Sequence, residues 1–356
     1  MSRRLTRREY FAVLAAAASL PRLRAAAAVE RPAPALSEAA GRVEGPSAGG
    51  KPMRGAFMIL TTPFTDSGEV DWDDLAREVR FVDQAGAHGI VWPQGSSGVA
   101  NLTKEERLRG LEVLATANQG RKPALVLGVQ GRTTAEMLEY ARRAEAVAPD
   151  ALIAMPPSAA RSLDDYREYF RALARSTARP IFIQTSGGAK DLAPSVELVV
   201  ELAREHPHLA YVKEESAPLV ERMKAELKQR PPLKGIFGAS YADGWLYEMR
   251  LGLDGVMTGM AMYADLMARM WELHERGDAE RLRDAYSRFL LMRNINESIP
   301  GADLYVMQKR GIFKTTTART GGAAAWKPKP LSLSPDAIAE IEYRLAALQP
   351  YLLPRT

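Results

Sequence analysis

The sequence predicts an α/β fold, a (β/α)8 barrel of the TIM type with a C-terminal helical extension, on three observations. Eight short apolar runs recur along the chain, longer stretches of helical period separate them, and no glycine-rich dinucleotide fingerprint follows the first run. Alternating helices and continuously apolar strands call for a parallel sheet covered by helices, and eight such units close naturally into a barrel.

The runs span 56–61, 89–92, 124–128, 151–154, 181–184, 210–213, 234–237 and 255–257. Between the first two, 71–85 carries Leu75, Val79 and Phe81 on one broad apolar face. The next helix, 104–117, opens with Thr103 and has Glu106 three residues on, the pattern of a capping box. A doubly wound open sheet is the competing architecture. It carries G-x-G-x-x-G after its first strand, where this chain reads Thr62-Pro63-Phe64-Thr65-Asp66-Ser67-Gly68. A helix at 263–275 completes the eighth unit, so the barrel is assigned to 53–277. Three further helix candidates, 279–291, 302–310 and 335–348, make 278–356 a C-terminal helical region packed on the barrel. The segment 315–330, with a threonine run, glycines and prolines, reads as an ordered loop crossing back to it.

With 356 residues, 46% hydrophobic and 26% charged, the chain has ample material for a globular core. The net charge of +5 reflects arginines crowded into the N-terminus, and no basic patch with interleaved aromatics follows, which argues against a nucleic-acid partner. Cysteine is absent, which excludes disulfides, thiolate metal sites and a cysteine nucleophile, and suits an oxidising compartment.

Residues 1–28 read as an export signal. Thr6-Arg7-Arg8-Glu9-Tyr10-Phe11 is a twin-arginine start, 11–20 is apolar, and the alanines at 25–28 offer a small-residue cleavage site. The apolar core is about half of the roughly 20 residues that a membrane helix needs, so no stable span is expected. The signal implies a periplasmic or otherwise exported protein, and 29–52, rich in Ala, Pro and Gly, reads as a disordered linker.

In a barrel, the loops after the strands hold the chemistry. After the second run, Trp92-Pro93-Gln94-Gly95-Ser96-Ser97-Gly98 puts two hydroxyls and free backbone N–H groups at a strand end, a cradle for a carboxylate. The absence of a lysine after the second glycine argues against a phosphate-binding P-loop, although a plain turn explains G-S-S-G equally well. After the sixth run comes Ala210-Tyr211-Val212-Lys213-Glu214-Glu215-Ser216. Alternation puts Tyr211 and Lys213 on one face, into the mouth of a barrel. Most lysines are solvated. Burial there instead favours the neutral amine, which attacks a carbonyl carbon to form a Schiff base.

Together these segments resemble the dihydrodipicolinate synthase and N-acetylneuraminate lyase family of pyruvate-handling barrels, over about 53–348. The likeness runs from Thr62-Pro63-Phe64 to Gly68, Val70, Asp71 and Leu75. It continues through Gly95-Ser96-Ser97-Gly98, where the family has G-T-T-G-E, then Gly128-Val129, Thr134-Ala135-Glu136, Lys213-Glu214 and Gly255-Val256. The resemblance implies that Lys213 condenses with the ketone of pyruvate or another 2-oxo acid, and that the iminium serves as electron sink for making or breaking a C–C bond. It implies that Gly95, Ser96 and Ser97 hold the carboxylate, with Lys190 and Thr258 as further substrate contacts. No metal or organic cofactor is implied. By the same analogy the partners are a small 2-oxo acid and further copies of the chain, in a dimer or tetramer. His206 and His208, beside Pro207, fall in a helix-to-strand connection at the wrong end of the barrel for ligands.

The departures bear on the substrate. Where the family has T-P-Y-Y, whose second tyrosine relays protons, this chain reads Met155-Pro156-Pro157-Ser158, so Ser158 is the residue at the relay position. Its hydroxyl is shorter and far less acidic than a phenol. Tyr241 and Tyr263, after the seventh and eighth runs, are candidates to replace it. Val99 closes the serine motif in place of glutamate, and after the fifth run Gln184-Thr185-Ser186-Gly187-Gly188-Ala189-Lys190 offers only Lys190 where the family's synthases have arginine, without its bidentate fork. These differences make true dihydrodipicolinate synthase activity doubtful. The reading is a Schiff-base lyase or aldolase of a 2-oxo acid or sugar-acid derivative; the alternative is a 2-oxo-acid-binding barrel that kept the lysine and lost turnover.

Overall fold

Four-residue runs of branched and aromatic residues that must be buried on both faces pair stably only inside a helical shell. The computed structural model describes residues 50–353 and has this arrangement. Eight parallel strands close in sequence order: β1 Gly55–Ile59, β2 Gly89–Trp92, β3 Ala124–Gly128, β4 Ala151–Ala154, β5 Ile181–Gln184, β6 Tyr211–Lys213, β7 Gly235–Gly238 and β8 Gly255–Thr258. The last pairs with the first, Phe57 opposite Met257. Each is followed by a helix: α1 Trp72–Gln84, α2 Lys104–Asn118, α3 Thr134–Ala146, α4 Leu163–Ser176, α5 Val196–Glu205, α6 Leu219–Leu227, α7 Trp245–Leu251 and α8 Ala264–Glu275. The chain is a (β/α)8 barrel.

Caps set where the helices begin. Asp71, Thr103, Thr133, Ser162 and Ser195 each accept a hydrogen bond from a backbone N–H of the first turn of α1 to α5, satisfying donors that the helix itself leaves open. At α2 the expected capping box is complete, since Glu106 Oε2 accepts from Thr103 N at 2.9 Å.

Two packed regions divide the core. Phe57, Ile59, Val91, Val126, Ile153, Phe182, Phe237 and Met257 fill the lumen, while the alternate residues, such as Met58, Ile90 and Val212, pack under the helices. The lumen floor is aromatic: Phe57 and Phe182 each meet Phe237 edge-on, with ring centres 5.1 Å apart. Gly89 makes room for it, because a Cβ there would lie 2.1 Å from the Phe57 ring. This alternation of large and absent side chains lets a short barrel fill its own centre.

The C-terminal region contributes α9 Ala279–Arg293, α10 Ile295–Ser298, α11 Ala302–Lys309 and α12 Pro335–Ala347. It is tied to α8 by a buried ion pair, Arg310 to Asp265, with nitrogen-to-oxygen distances of 3.0 and 2.5 Å. The segment expected to cross back does so as a hairpin, β9 Ala318–Thr320 with β10 Lys327–Lys329. Arg319 anchors it, donating to Glu106 at 2.7 and 2.8 Å and to Gly68 O at 2.5 Å, its guanidinium between the rings of Phe64 and Trp326.

Residues 1–49, which hold the expected export signal and most of the linker, lie outside the described residues. The end of that linker, 50–52, is described, and Lys51 Nζ donates to Pro123 O at 2.8 Å and lies 3.5 Å from Asp150. The barrel's ordered contacts therefore begin before residue 53. No described helix is long and apolar enough to cross a membrane.

Candidate active site

Lys213 is the last residue of β6, in register with Gln184 on β5 and Phe237 on β7. Tyr211, two residues earlier, packs against the lumen cluster, so alternation aims Lys213 into the mouth as expected. Its side chain is 5% exposed. Burial pulls its ammonium below the ordinary lysine range, opposed by the Glu215 carboxylate at 3.0 Å. Nζ also donates to Gln184 Oε1 at 3.2 Å. Ser186 Oγ donates to the same Glu215 oxygen at 2.6 Å and receives a hydrogen bond from Gln184 Nε2 at 3.1 Å, closing a ring of four side chains. The arrangement holds a desolvated amine at a strand end, beside a carboxylate.

A second layer fixes this ring from behind. Glu214 points away from the lumen and is fully buried. It accepts from Thr185 Oγ1 at 2.6 Å, from Ser216 N at 2.6 Å and from Arg222 Nε at 3.0 Å. Thr185 Oγ1 in turn accepts from Glu215 N at 2.8 Å. Beside this cluster, burial and the neighbouring Glu214 push the Glu226 carboxyl far above the carboxylate range.

The serine loop stands across the barrel, after β2. Gly95–Ser97 forms one 3-10 turn, closed by Gly98 in the left-handed region at φ 73. Ser97 is buried and its carbonyl accepts from Thr62 Oγ1 at 2.6 Å. Its hydroxyl accepts from Gln94 N at 3.1 Å, which leaves the hydroxyl proton to donate. Gly95 and Ser96 are exposed. Gly259, after β8, backs directly onto Ser96, since a Cβ there would lie 2.7 Å from Ser96 Oγ. Buried Gln94 and Gln130 join the β2 and β3 loops through a 3.0 Å amide contact. Two hydroxyls after β2 and an amine at the end of β6 thus stand at the same end of the barrel, chemistry suited to a small carbonyl acid.

The dihydrodipicolinate synthetase family model matches residues 52–320, three quarters of the chain and every barrel strand. The chain belongs to that family. The 4-hydroxy-tetrahydrodipicolinate synthase of Chlorobaculum parvum is 28% identical over 270 residues, 74% of this chain and 89% of that protein. The enzyme of the same name from Rhizobium meliloti is 31% identical over 164 residues, 46% of this chain and 55% of that protein. Dihydrodipicolinate synthase from Aquifex aeolicus superposes with a TM-score of 0.72 at 20% identity, covering 85% of this chain and all of that one. The enzyme from Acinetobacter baumannii, solved with pyruvate, gives 0.71 at 18% identity, covering 84% of this chain and 99% of that one. Family membership makes the chain a relative of Schiff-base lyases.

Within this family member the other expected site residues are less closely gathered. Ser158 is exposed in the loop after β4, and among the described residues the hydrogen-bond and ion-pair partners of Lys213 Nζ are Gln184 and Glu215. Lys190 is exposed after β5, beyond the packed part of that loop. Thr258 is buried and its hydroxyl has no hydrogen-bond partner among the described residues; it follows Met257 of the lumen cluster, so alternation turns it toward the shell. Of the two candidate tyrosines, Tyr241 is 47% exposed at the rim, its ring under the Arg293 guanidinium. Tyr263 is not at the rim. It is buried against Phe289, where burial pushes its phenol well above its ordinary value, because an aromatic ring gains more from the apolar shell than from solvent. Glu215 went unassigned in the sequence, although its two-residue spacing from Lys213 was the available signal.

Proposed function

We propose that this protein is a Schiff-base lyase or aldolase that condenses Lys213 with the ketone of a 2-oxo acid, pyruvate-like or derived from a sugar acid. The observation that carries the reading is the buried Lys213 amine at a strand end, its ammonium disfavoured by desolvation and its Nζ held by Gln184 and Glu215. In the proposed reaction the neutral amine attacks the ketone carbon, water leaves, and the iminium withdraws electrons from the adjacent C–C or C–H bond. The Ser96 and Ser97 hydroxyls, with the backbone N–H groups of Gly95 and Ser96, hold the carboxylate across the mouth. Ser158 and Lys190, standing where the synthases carry tyrosine and arginine, favour a substrate other than that of the relatives named above. The proposed chemistry runs through the lysine imine without a cofactor. We also propose export through the twin-arginine start and assembly into a homo-oligomer.

Borohydride reduction of the full chain with a panel of 2-oxo acids, followed by peptide mass mapping, tests the chemistry. The expected result is an adduct on Lys213 that disappears in Lys213→Ala while the fold persists. Full activity in that variant would sink the reading, and an adduct without turnover would favour the binding-only alternative. For export, Arg7→Lys combined with Arg8→Lys is expected to keep the protein in the cytoplasm, because the arginine pair is the receptor-read address. Normal export of that double variant would refute the signal.

A further inference from the structure

Forming a Schiff base moves protons as well as electrons. Nζ must lose a proton before it attacks, the carbinolamine oxygen must gain one before it leaves as water, and a proton must then depart from C3 of the iminium. Some group beside Nζ has to carry them. Among the described residues, two side chains are polar partners of Nζ: Gln184, whose amide oxygen is a poor base, and Glu215, whose carboxylate is a competent one. Resting on the Schiff-base reading above, we infer that Glu215 is the catalytic residue that carries protons between Lys213 and the bound 2-oxo acid.

The geometry is that of a positioned group and not of a chance surface pair. Glu215 lies two residues beyond Lys213 and so returns to the lumen side, its carboxylate 3.0 Å from the amine and its side chain 20% exposed against 5% for the lysine. Its carboxylate is held at one end by Ser186 Oγ at 2.6 Å, and its peptide N–H at the other by Thr185 Oγ1 at 2.8 Å. Thr185 is fixed by Glu214, and Glu214 by Arg222. An exposed ion pair has no such scaffold and contributes little. Neither of the tyrosines expected to replace the relay takes this place: Tyr263 is sunk in the shell, and Tyr241 is stacked beneath Arg293.

The steps balance. The Lys213 ammonium passes a proton to the Glu215 carboxylate, leaving a neutral amine and a carboxylic acid. The nitrogen lone pair forms the bond to C2 as the carbonyl π pair moves to oxygen, and a proton shifts from nitrogen to that oxygen. Glu215 then protonates the hydroxyl, the C–O bond breaks, and water leaves. What remains is an iminium beside a carboxylate, so opposite charges face each other where charge has developed. Next the carboxylate takes a proton from C3, and the C–H pair becomes the C2–C3 double bond of the enamine. The reverse transfer returns it.

Pyruvate in deuterium oxide reads these transfers separately from adduct formation. Proton NMR follows exchange of the C3 methyl protons, and borohydride trapping on the full chain reports the imine. Trapping with methyl exchange in the wild type, an exchange rate about 100-fold lower in Glu215→Gln with trapping still reached on long incubation, and partial recovery in Glu215→Asp are expected. Ser186→Ala, which only loosens the carboxylate, is expected to lose less. Exchange at the wild-type rate in Glu215→Gln overturns the assignment, as does a wild-type chain that is trapped but never exchanges. A wild-type chain that is not trapped by any 2-oxo acid overturns the Schiff-base reading itself.

Discussion

Lys213 and Glu215 meet because an extended chain returns to the same face every second residue, and both are pinned by neighbours on β5. At this scale the sharpest constraint opposite them is Gly259. A Cβ there would lie 2.5 Å from Ser96 Cβ and 2.7 Å from its hydroxyl, closer than packed atoms approach. The methyl of Gly259→Ala must therefore displace the serine turn, while leaving the amine and its ring untouched. The expected outcome is a KM for the 2-oxo acid raised by roughly 10-fold, with trapping on Lys213 preserved, since small displacements of positioning groups are costly. Steady-state kinetics on the purified variant check this, and an unchanged KM would show that Ser96 does not hold substrate.

Among the elements, α7 carries a buried acid that no ion pair among the described residues explains. Glu248 is 2% exposed, its Oε2 has no hydrogen-bond partner among the described residues, and it occupies space left by Gly238 and Gly244. Burial, reinforced by Asp243, pushes its carboxyl up to about 7 from the usual 4.5. Between those values the native state holds a proton that the unfolded state releases, so stability falls as pH rises through that window. Glu248→Gln has no such proton. The variant is expected to gain stability over the parent as pH rises from 5 to 7, up to about 3 kcal/mol, and to gain no more above that. Thermal unfolding at pH 5, 6, 7 and 8 measures it; a gap independent of pH would mean that the carboxyl is not protonated in the fold.

For the molecule as a whole, the C-terminal region closes the barrel's first two loops from outside. Arg319 is fully buried in its side chain and neutralises Glu106, the same carboxylate that completes the cap of α2. Arg319→Ala strands that carboxylate and removes the cation between two aromatic rings. Breaking a buried pair on one side costs about 3 kcal/mol or more. The expected result is a lower Tm together with early proteolytic cleavage within 315–330, and an unaltered cleavage pattern would show that the hairpin is held by other contacts.

What the sequence determined by itself was whatever travels along the chain. The strands at 89–92, 124–128, 151–154 and 181–184 have the bounds read from their apolar runs, because a strand buried on both faces is apolar without interruption. The Thr103 and Glu106 box and the inward aim of Lys213 are also local, set by helix and strand periods. Where the local signal was mixed the bounds moved: β1 ends at Ile59 and β7 runs on to Gly238. Tertiary structure alone decided the rest. The ring of Lys213, Gln184, Ser186 and Glu215 exists only once β5 lies beside β6, and Arg319 reaches Glu106 across 213 residues of chain. Tyr263 turns into the shell, not the mouth, because Phe289 from a later helix covers it. Periodicity fixes the face on which a side chain emerges; closure of the barrel fixes what it meets there, and that second fact is carried by segments far apart in sequence.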